Sequence, residues 1–155
     1  MPTANLFDLY RKLDRVPFGK CVFSLGYQLA APYFLTIPAQ ITDIERGVAR
    51  AKMAQAPWVR NHLGSVHAIA LCNLAEYTMG AVAEATVPAT HRWVPKGMTV
   101  SYRAKAHGTM RAVATLELPD PLADRCEVPV AISIVDPRFV EVCAAEIRIW
   151  VTVKR

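Results

Sequence analysis

The stretch VHAIALCNLAEYTMGAVAEA, residues 66–85, contains no proline and shows no continuous polar face. At about 1.5 Å per residue such a segment makes a helix about 30 Å long. A helix that is apolar all round is one enclosed by the rest of its protein. The length would also suit a membrane span, but Asn73, Glu76 and the many small residues argue against lipid surroundings. The rest of the chain must then supply a cover. The run also raises a chemical question, because a carboxylate, Glu76, sits in its middle.

The flanking patterns identify the cover. Upstream, NLFDLYRKLDR (residues 5–15) spaces Leu6, Leu9, Tyr10 and Leu13 at helical intervals, and Pro17 stops it. A second apolar segment runs from Lys20 to Ala31 and ends before Pro32. The stretch ITDIERGVARAKM, residues 41–53, places two alternating runs around Glu45 to Gly47, which reads as a hairpin. After Pro88 the period becomes two: residues 93–105 put Met98, Val100, Tyr102 and Ala104 on one face, with Thr99, Ser101, Arg103 and Lys105 on the other. Further strands are expected at 109–118, 127–135 and 139–153. This order predicts an α+β protein, an antiparallel sheet of about six strands curled around one long central helix, the hotdog architecture, with helices ahead of it. One domain is expected over residues 1–155, with 1–35 as a helical extension and 36–155 as the hotdog core.

Composition narrows the chemistry. With 155 residues, 53% of them hydrophobic and 20% charged, the chain is long enough to bury a core. Its first residues lack the basic start and unbroken apolar run of a secretory signal, so a cytoplasmic location is expected. Cys21, Cys72, Cys126 and Cys143 lie far apart, without metal-ligand spacing, and read as free, mostly buried thiols. No metal or redox cofactor is expected. The net charge of +5 is spread over the chain and suits a phosphorylated small molecule such as coenzyme A. A nucleic-acid partner is not expected, because most aromatic residues fall in apolar stretches.

Three segments carry a resemblance: APYFLTI (31–37), VRNHLGSVHAIALCNLAE (59–76) and RWVPKGMTVSYRAKAHGT (92–109). They resemble an uncharacterised branch of hotdog proteins allied to the phenylacetyl-CoA type thioesterases. In those enzymes an Asn is followed by five residues, then His-Gly-Gly, and an acidic residue stands nine positions after the His. Asn61, His67 and Glu76 occupy these spacings. The resemblance implies an acyl-CoA thioesterase, acting without cofactor as a homodimer or homotetramer. It makes Asn61 and Glu76 the catalytic pair, with the backbone N–H after His67, that of Ala68, polarising the carbonyl. Ala68 and Ile69 stand where the relatives have two glycines, and Glu76 where most have Asp. Whether Glu76 attacks carbon or activates water stays open.

Thioester hydrolysis needs a nucleophile and a place for the developing oxyanion. Unpaired N–H groups at a helix N-terminus supply the second. Eight residues separate Ala68 from Glu76, about 12 Å of helix and too far for both to serve one carbonyl. A two-fold dimer would let Glu76 of one subunit meet Asn61 and Ala68 of its partner. Each candidate also has a plain reading. Glu76 would emerge into solvent through a gap in the sheet, Asn61 would cap a turn, and the His67 imidazole would be a hydrogen-bonded structural group. Asn73, one turn before Glu76, is placed to bond it or to line the substrate pocket, while Tyr77 is expected to pack. Lys96, Arg103 and Lys105 are candidates for the coenzyme A phosphates, or solvated surface like Arg60 and Arg92. Two other functions fit. One is an acyl-CoA or fatty-acyl binding protein without turnover. The other is a hydratase or dehydratase pairing His62 with Glu76, although the Pro and Gly signature of such enzymes is missing.

Overall fold

The computed structural model describes residues 6–154. Two helices, α1 (Leu6–Leu13) and α2 (Gly19–Ala30), and a 3-10 turn at Pro32–Thr36 precede the hairpin β1 (Ala39–Glu45) and β2 (Val48–Met53). After a second 3-10 turn at Pro57–Val59 comes the long helix α3 (Ala68–Thr86), then β3 (His91–Tyr102), β4 (Met110–Leu116), β5 (Cys126–Val135) and β6 (Glu141–Val153). The strands form one antiparallel sheet in the order β1-β2-β4-β5-β6-β3. The sheet wraps α3, so the chain has the hotdog fold.

Alternation sets which face of each strand meets the helix. Met110, Ala112, Ala114 and Leu116 of β4 are buried, as are Val128, Val130, Ile132 and Ile134 of β5. A slip of one residue would turn either set to solvent, which fixes the register. Where β2 and β4 pass under α3 their inward residues are Ala49, Ala51, Ala112 and Ala114, small enough for the helix to lie close. From Asn73 to Ala85 only Glu76 and Glu84 escape burial.

On the side of α3 away from these strands an aromatic cluster closes the core. The Tyr27 and Tyr77 rings lie 5.1 Å apart, Phe34 and Tyr77 5.2 Å apart, and Tyr10 meets Phe23 edge-on at 5.2 Å. The polar side chains of α2 then cover the outer edge of β1, whose backbone groups would otherwise lack partners. Ile41 N–H donates to Ser24 Oγ (2.9 Å), Lys20 Nζ to the Thr42 carbonyl (2.8 Å) and Gln28 Nε2 to the Ala39 carbonyl (3.1 Å).

Several expectations need correction. The helix begins at Ala68, two residues later than Val66, because Val66 N–H is drawn to the Ala106 carbonyl at 2.8 Å and His67 is held extended. The first helix ends at Leu13, before Arg15, where the chain turns back toward α2; residue 5 lies outside the described residues. The strand β3 ends at Tyr102, so Ala104 lies beyond it, and a bulge between Pro95 and Gly97 interrupts its pairing with β6. Of the four thiols only Cys143 is buried; Cys21 is exposed on α2, and Cys72 and Cys126 are half-buried. Val22 beside Cys21 faces outward with it, whereas Phe23 turns into the core.

One contact limits how tightly the aromatic cluster seals. A Cβ on Gly80 would lie 2.2 Å from the Tyr27 hydroxyl, and Tyr27 is fixed between Phe23, Phe34 and Tyr77. Gly80→Ala is therefore expected to cost about 1–3 kcal/mol through overpacking. Tyr27→Phe in the same chain should restore most of it, because the next ring atom, Cζ, stands at an ordinary 3.6 Å. Urea unfolding of the single and double variants measures this. A destabilisation that persists in the double variant, which lacks the hydroxyl, would refute the contact as the cause.

Candidate active site

The segment before α3 is a closed loop built by Asn61. Its backbone N–H donates to the Ser65 carbonyl (2.9 Å), and Gly64 N–H returns to the Asn61 carbonyl (3.0 Å), with Gly64 in the left-handed region at φ +76°. The Asn61 side chain works on the same loop. Its Oδ1 accepts from Leu63 N–H (3.0 Å) and Ser65 N–H (3.2 Å), and its Nδ2 donates to Ser65 Oγ (2.9 Å). The carboxamide oxygen is thus committed to the turn, and one Nδ2 hydrogen remains. His67 N–H donates to the Val59 carbonyl at 2.8 Å, which sets the entry of the chain into α3.

His67 caps the helix. Its Nδ1 accepts from Ile69 N–H at 3.1 Å, which puts the ring proton on Nε2. The imidazole is thus hydrogen-bonded to the helix start. Among the described residues Ala68 N–H has no partner, so at the positive end of the helix dipole it is a donor open to an incoming oxygen. A shallow pocket of about 190 Å³ adjoins this helix start, lined by Trp58, Arg60, His67, Ile69 and Asn73. Asn73 does not bond Glu76. Its Nδ2 donates to Thr36 Oγ1 at 2.9 Å, and its buried Oδ1 has no partner among the described residues.

Glu76 lies elsewhere. It is half-buried in a pocket of about 450 Å³ between α3, the end of α2 and the start of β3, with Tyr27, Phe34, Met79, Gly80 and Trp93 in the walls. It opens beside the N-terminal helices rather than through the sheet. Glu84 shares this pocket and accepts a hydrogen bond from Trp93 Nε1 at 3.1 Å. Burial pushes the Tyr77 phenol up to about 12. Burial raises Tyr27 further, with Tyr77, Glu84 and Glu76 adding to it. Both phenols stay neutral at ordinary pH, so Glu76 and Glu84 are the ionisable carboxylates facing an otherwise apolar space.

The two pockets share no lining residue. Within one chain His67, Ile69 and Asn73 thus border one space and Glu76 another. The cations are also dispersed. Lys96 pairs with Glu127 at 3.5 Å and lies over the Trp150 ring at 4.4 Å, Arg103 pairs with Glu141, and Lys105 is exposed with no ion pair among the described residues. None of the three lines the Glu76 pocket. His62 is exposed at the tip of the Asn61 turn. Among the described residues no His, Cys, Asp and Glu cluster could hold a metal, and no helix is long and apolar enough to cross a membrane.

Sequence reasoning missed Glu84 and the aromatic walls. Glu84 was legible as the only other carboxylate on the buried helix, two turns after Glu76 and on nearly the same face. Tyr27, Phe34 and Trp93 carried no comparable signal, since they come from separate elements that only the fold brings together.

Residues 19–151 match the family described as Domain of unknown function (DUF4442). No curated protein matches the sequence. Among solved structures the structural-genomics protein APC5556 is 34% identical, with a TM-score of 0.83 over 97% of this chain and 100% of its own. The protein of unknown function PA5026 from Pseudomonas aeruginosa, described as a probable thioesterase, is 22% identical, with a TM-score of 0.74 over 83% of this chain and 91% of its own. The thioesterase HI1161 from Haemophilus influenzae is 16% identical, with a TM-score of 0.71 over 82% and 87% of the two chains. At these lower identities the likeness is one of fold.

The hydrogen bonds of Asn61 separate its two ends. Asn61→Ala removes the acceptor of Leu63 and Ser65 N–H and is expected to cost about 1–3 kcal/mol of stability. Asn61→Asp keeps that acceptor and should stay within about 0.5 kcal/mol of the parent. Equal losses in the two variants, measured by thermal unfolding, would show that Oδ1 does not hold the loop.

Proposed function

The chain belongs to the DUF4442 family, a family of unknown function here carried on a hotdog fold, and from that premise we propose that it hydrolyses acyl-CoA thioesters at a site shared between two subunits. The observation that carries this reading is Glu76, a carboxylate held half-buried in an apolar pocket of about 450 Å³ that is large enough for an acyl group. Thioesterases of the same fold support the choice of a thioester as substrate.

What supports the sharing of the site is β3. One edge of the sheet, β1, is covered by α2, while β3, 12 residues long at the other edge, pairs among the described residues only with β6. Such an edge invites a second strand. The start of β3 borders the Glu76 pocket through Trp93 and Pro95, and its end borders the start of α3, where the Tyr102 hydroxyl reaches the Ala68 carbonyl at 3.5 Å. Pairing β3 with its two-fold copy runs the strands antiparallel, which sets the end of one beside the start of the other. Ala68 N–H of the partner subunit is thereby brought toward Glu76.

In this arrangement the acyl group lies in the pocket with its carbonyl oxygen on the partner's Ala68 N–H. Glu76 takes a proton from water as the water oxygen bonds to the carbonyl carbon. The tetrahedral intermediate then breaks its C–S bond, and the proton passes from Glu76 to the departing coenzyme A sulfur. Direct attack by a Glu76 carboxylate oxygen uses the same groups: it breaks the C–S bond to give an anhydride and the coenzyme A thiolate, and the water that then opens the anhydride supplies the proton the thiolate takes up. The free Nδ2 hydrogen of Asn61 is the group left to orient water or carbonyl. Lys105, which has no carboxylate partner among the described residues, is the least encumbered of the three cations proposed for the phosphates.

Acyl binding without turnover is the second reading. It is favoured by the local commitments of Asn61 Oδ1 and of Ile69 N–H, which leave fewer groups for chemistry. Thiol release from a panel of acyl-CoAs separates the two, and His62→Ala tests the hydratase alternative, which needs that imidazole.

Two variants test the shared site. Glu76→Gln keeps the shape of the side chain and should lower kcat by roughly 10² to 10⁴ fold. Ala68→Pro deletes the unpartnered N–H at the first helical position, where proline fits, and His67 already has the extended conformation that a following proline requires (φ −66°, ψ 140°). It should cost roughly 10² to 10³ fold. Mixed dimers of the two inactive chains contain one intact site and should regain activity. A mixture as inactive as its components would sink the shared site, and Glu76→Gln turnover within about threefold of the parent, on an intact dimer, would remove Glu76 from the chemistry.

A further inference from the structure

The helix α2 carries apolar side chains on both faces: Phe23 and Tyr27 pack inward into the core, and a second set faces outward. Its hydrophilic side chains Lys20, Ser24 and Gln28, one per turn, point inward and hold the edge of β1. Its outer surface, together with the residue that precedes it, is apolar. Phe18, Val22, Leu25 and Leu29, at helical spacing, are 83%, 58%, 54% and 58% exposed. Phe18 has φ 61°, a left-handed conformation that bulky residues seldom adopt, and it presents its ring almost fully to the outside. Leu9 of α1 and Val16 of the corner between the helices are exposed as well.

An apolar ridge of this extent marks an interaction surface, and its charges indicate the partner. Arg11, Lys12 and Arg15 are exposed together on and just after α1. Between Leu6 and Ala30 the acids are Asp8, which lies among these cations, and Asp14, which is held by Lys20 at 3.1 Å. A basic cluster beside an exposed apolar ridge is complementary to the anionic surface of a lipid bilayer. Headgroups take the cations, and the outer acyl region takes the ridge. A second copy of the chain would cover the ridge but would bring few acids to meet the cations. We propose that α1 and α2 dock this protein peripherally on anionic membranes.

The ridge ends beside the pocket of Glu76, since Ala30 and Ala31 at the end of α2 line that pocket. Docking would therefore place the pocket mouth close to the lipid surface. Binding to lipid is measured without turnover, so it succeeds or fails independently of the chemistry proposed for Glu76.

The test is sedimentation of the full chain with vesicles of phosphatidylcholine containing phosphatidylglycerol, against phosphatidylcholine alone. The expected result is partitioning at least about tenfold stronger onto the anionic vesicles, reduced by high salt. Phe18→Ser combined with Leu25→Ser should weaken it about tenfold or more. Arg11→Glu combined with Arg15→Glu, which leaves the ridge intact, should do the same. All four side chains are exposed, so melting temperature and oligomeric state should stay those of the parent. No binding to anionic vesicles, equal binding to both vesicle types, or binding that survives both double variants would overturn the proposal. Loss of the parent's oligomeric state in the Phe18→Ser, Leu25→Ser variant would also overturn it, by assigning the ridge to a contact between copies.

Discussion

A helix with apolar side chains on nearly every side is stable only when something surrounds it, and the rest of this molecule is arranged by that requirement on α3. A sheet covers one side of a helix. It curls far enough here because the strands beneath α3 present alanines, which let the helix sink toward them. The opposite side needs a separate cover, and the chain supplies it before the sheet begins, with Tyr10, Phe23, Tyr27 and Phe34. Each large side chain so buried contributes about 1.5–3 kcal/mol. Gly80 sets how closely this cover approaches, because the Tyr27 hydroxyl occupies the place of its missing Cβ.

The same requirement determines where chemistry is tolerated. An ionised carboxylate enclosed with no partner would cost several kcal/mol. Between Asn73 and Ala85 the two carboxylates are the two residues that are not buried, and both line the space where the N-terminal cover stands off from α3. The pocket is thus the gap left by incomplete enclosure, and its charge and its opening have one origin. The Trp93 indole, fixed on β3, holds Glu84 to one wall. Glu76, set among walls that are mostly aromatic and aliphatic, stays directed at the cavity.

Much of this was legible because it depends on periodicity. The strands alternate, α3 is apolar all round, and the order of elements leaves one helix for one sheet, so the hotdog arrangement follows from residues 66–85 and their neighbours. What periodicity does not carry is the partner of a side chain. Asn61 was legible as a candidate, yet its oxygen is taken by a tight turn whose closure depends on Gly64 and Ser65. Asn73 was placed beside Glu76 by helical spacing, but Thr36, from a 3-10 turn distant in sequence, claims its amide. The outward thiol of Cys21 was hidden for a related reason. An apolar stretch was read as buried, whereas α2 turns its polar residues inward to meet the bare edge of β1.

The start of α3 keeps a donor without the two glycines of the thioesterases that the sequence resembles. Ala68 and Ile69 occupy the first turn of a helix, where a side chain is sterically ordinary, so neither position requires glycine for its own backbone. What a Cβ restricts is the approach of another group, and here the restriction is small at one position and displaced at the other. Ala68 carries the smallest side chain that has a Cβ, and the Ile69 side chain is exposed, away from the core. Of the two amides, that of Ile69 is held by His67 Nδ1, whereas that of Ala68 is not held. His67 thereby has a double effect. It stiffens the helix start by capping it, and of these two amides it leaves that of Ala68 unheld at the positive end of the α3 dipole.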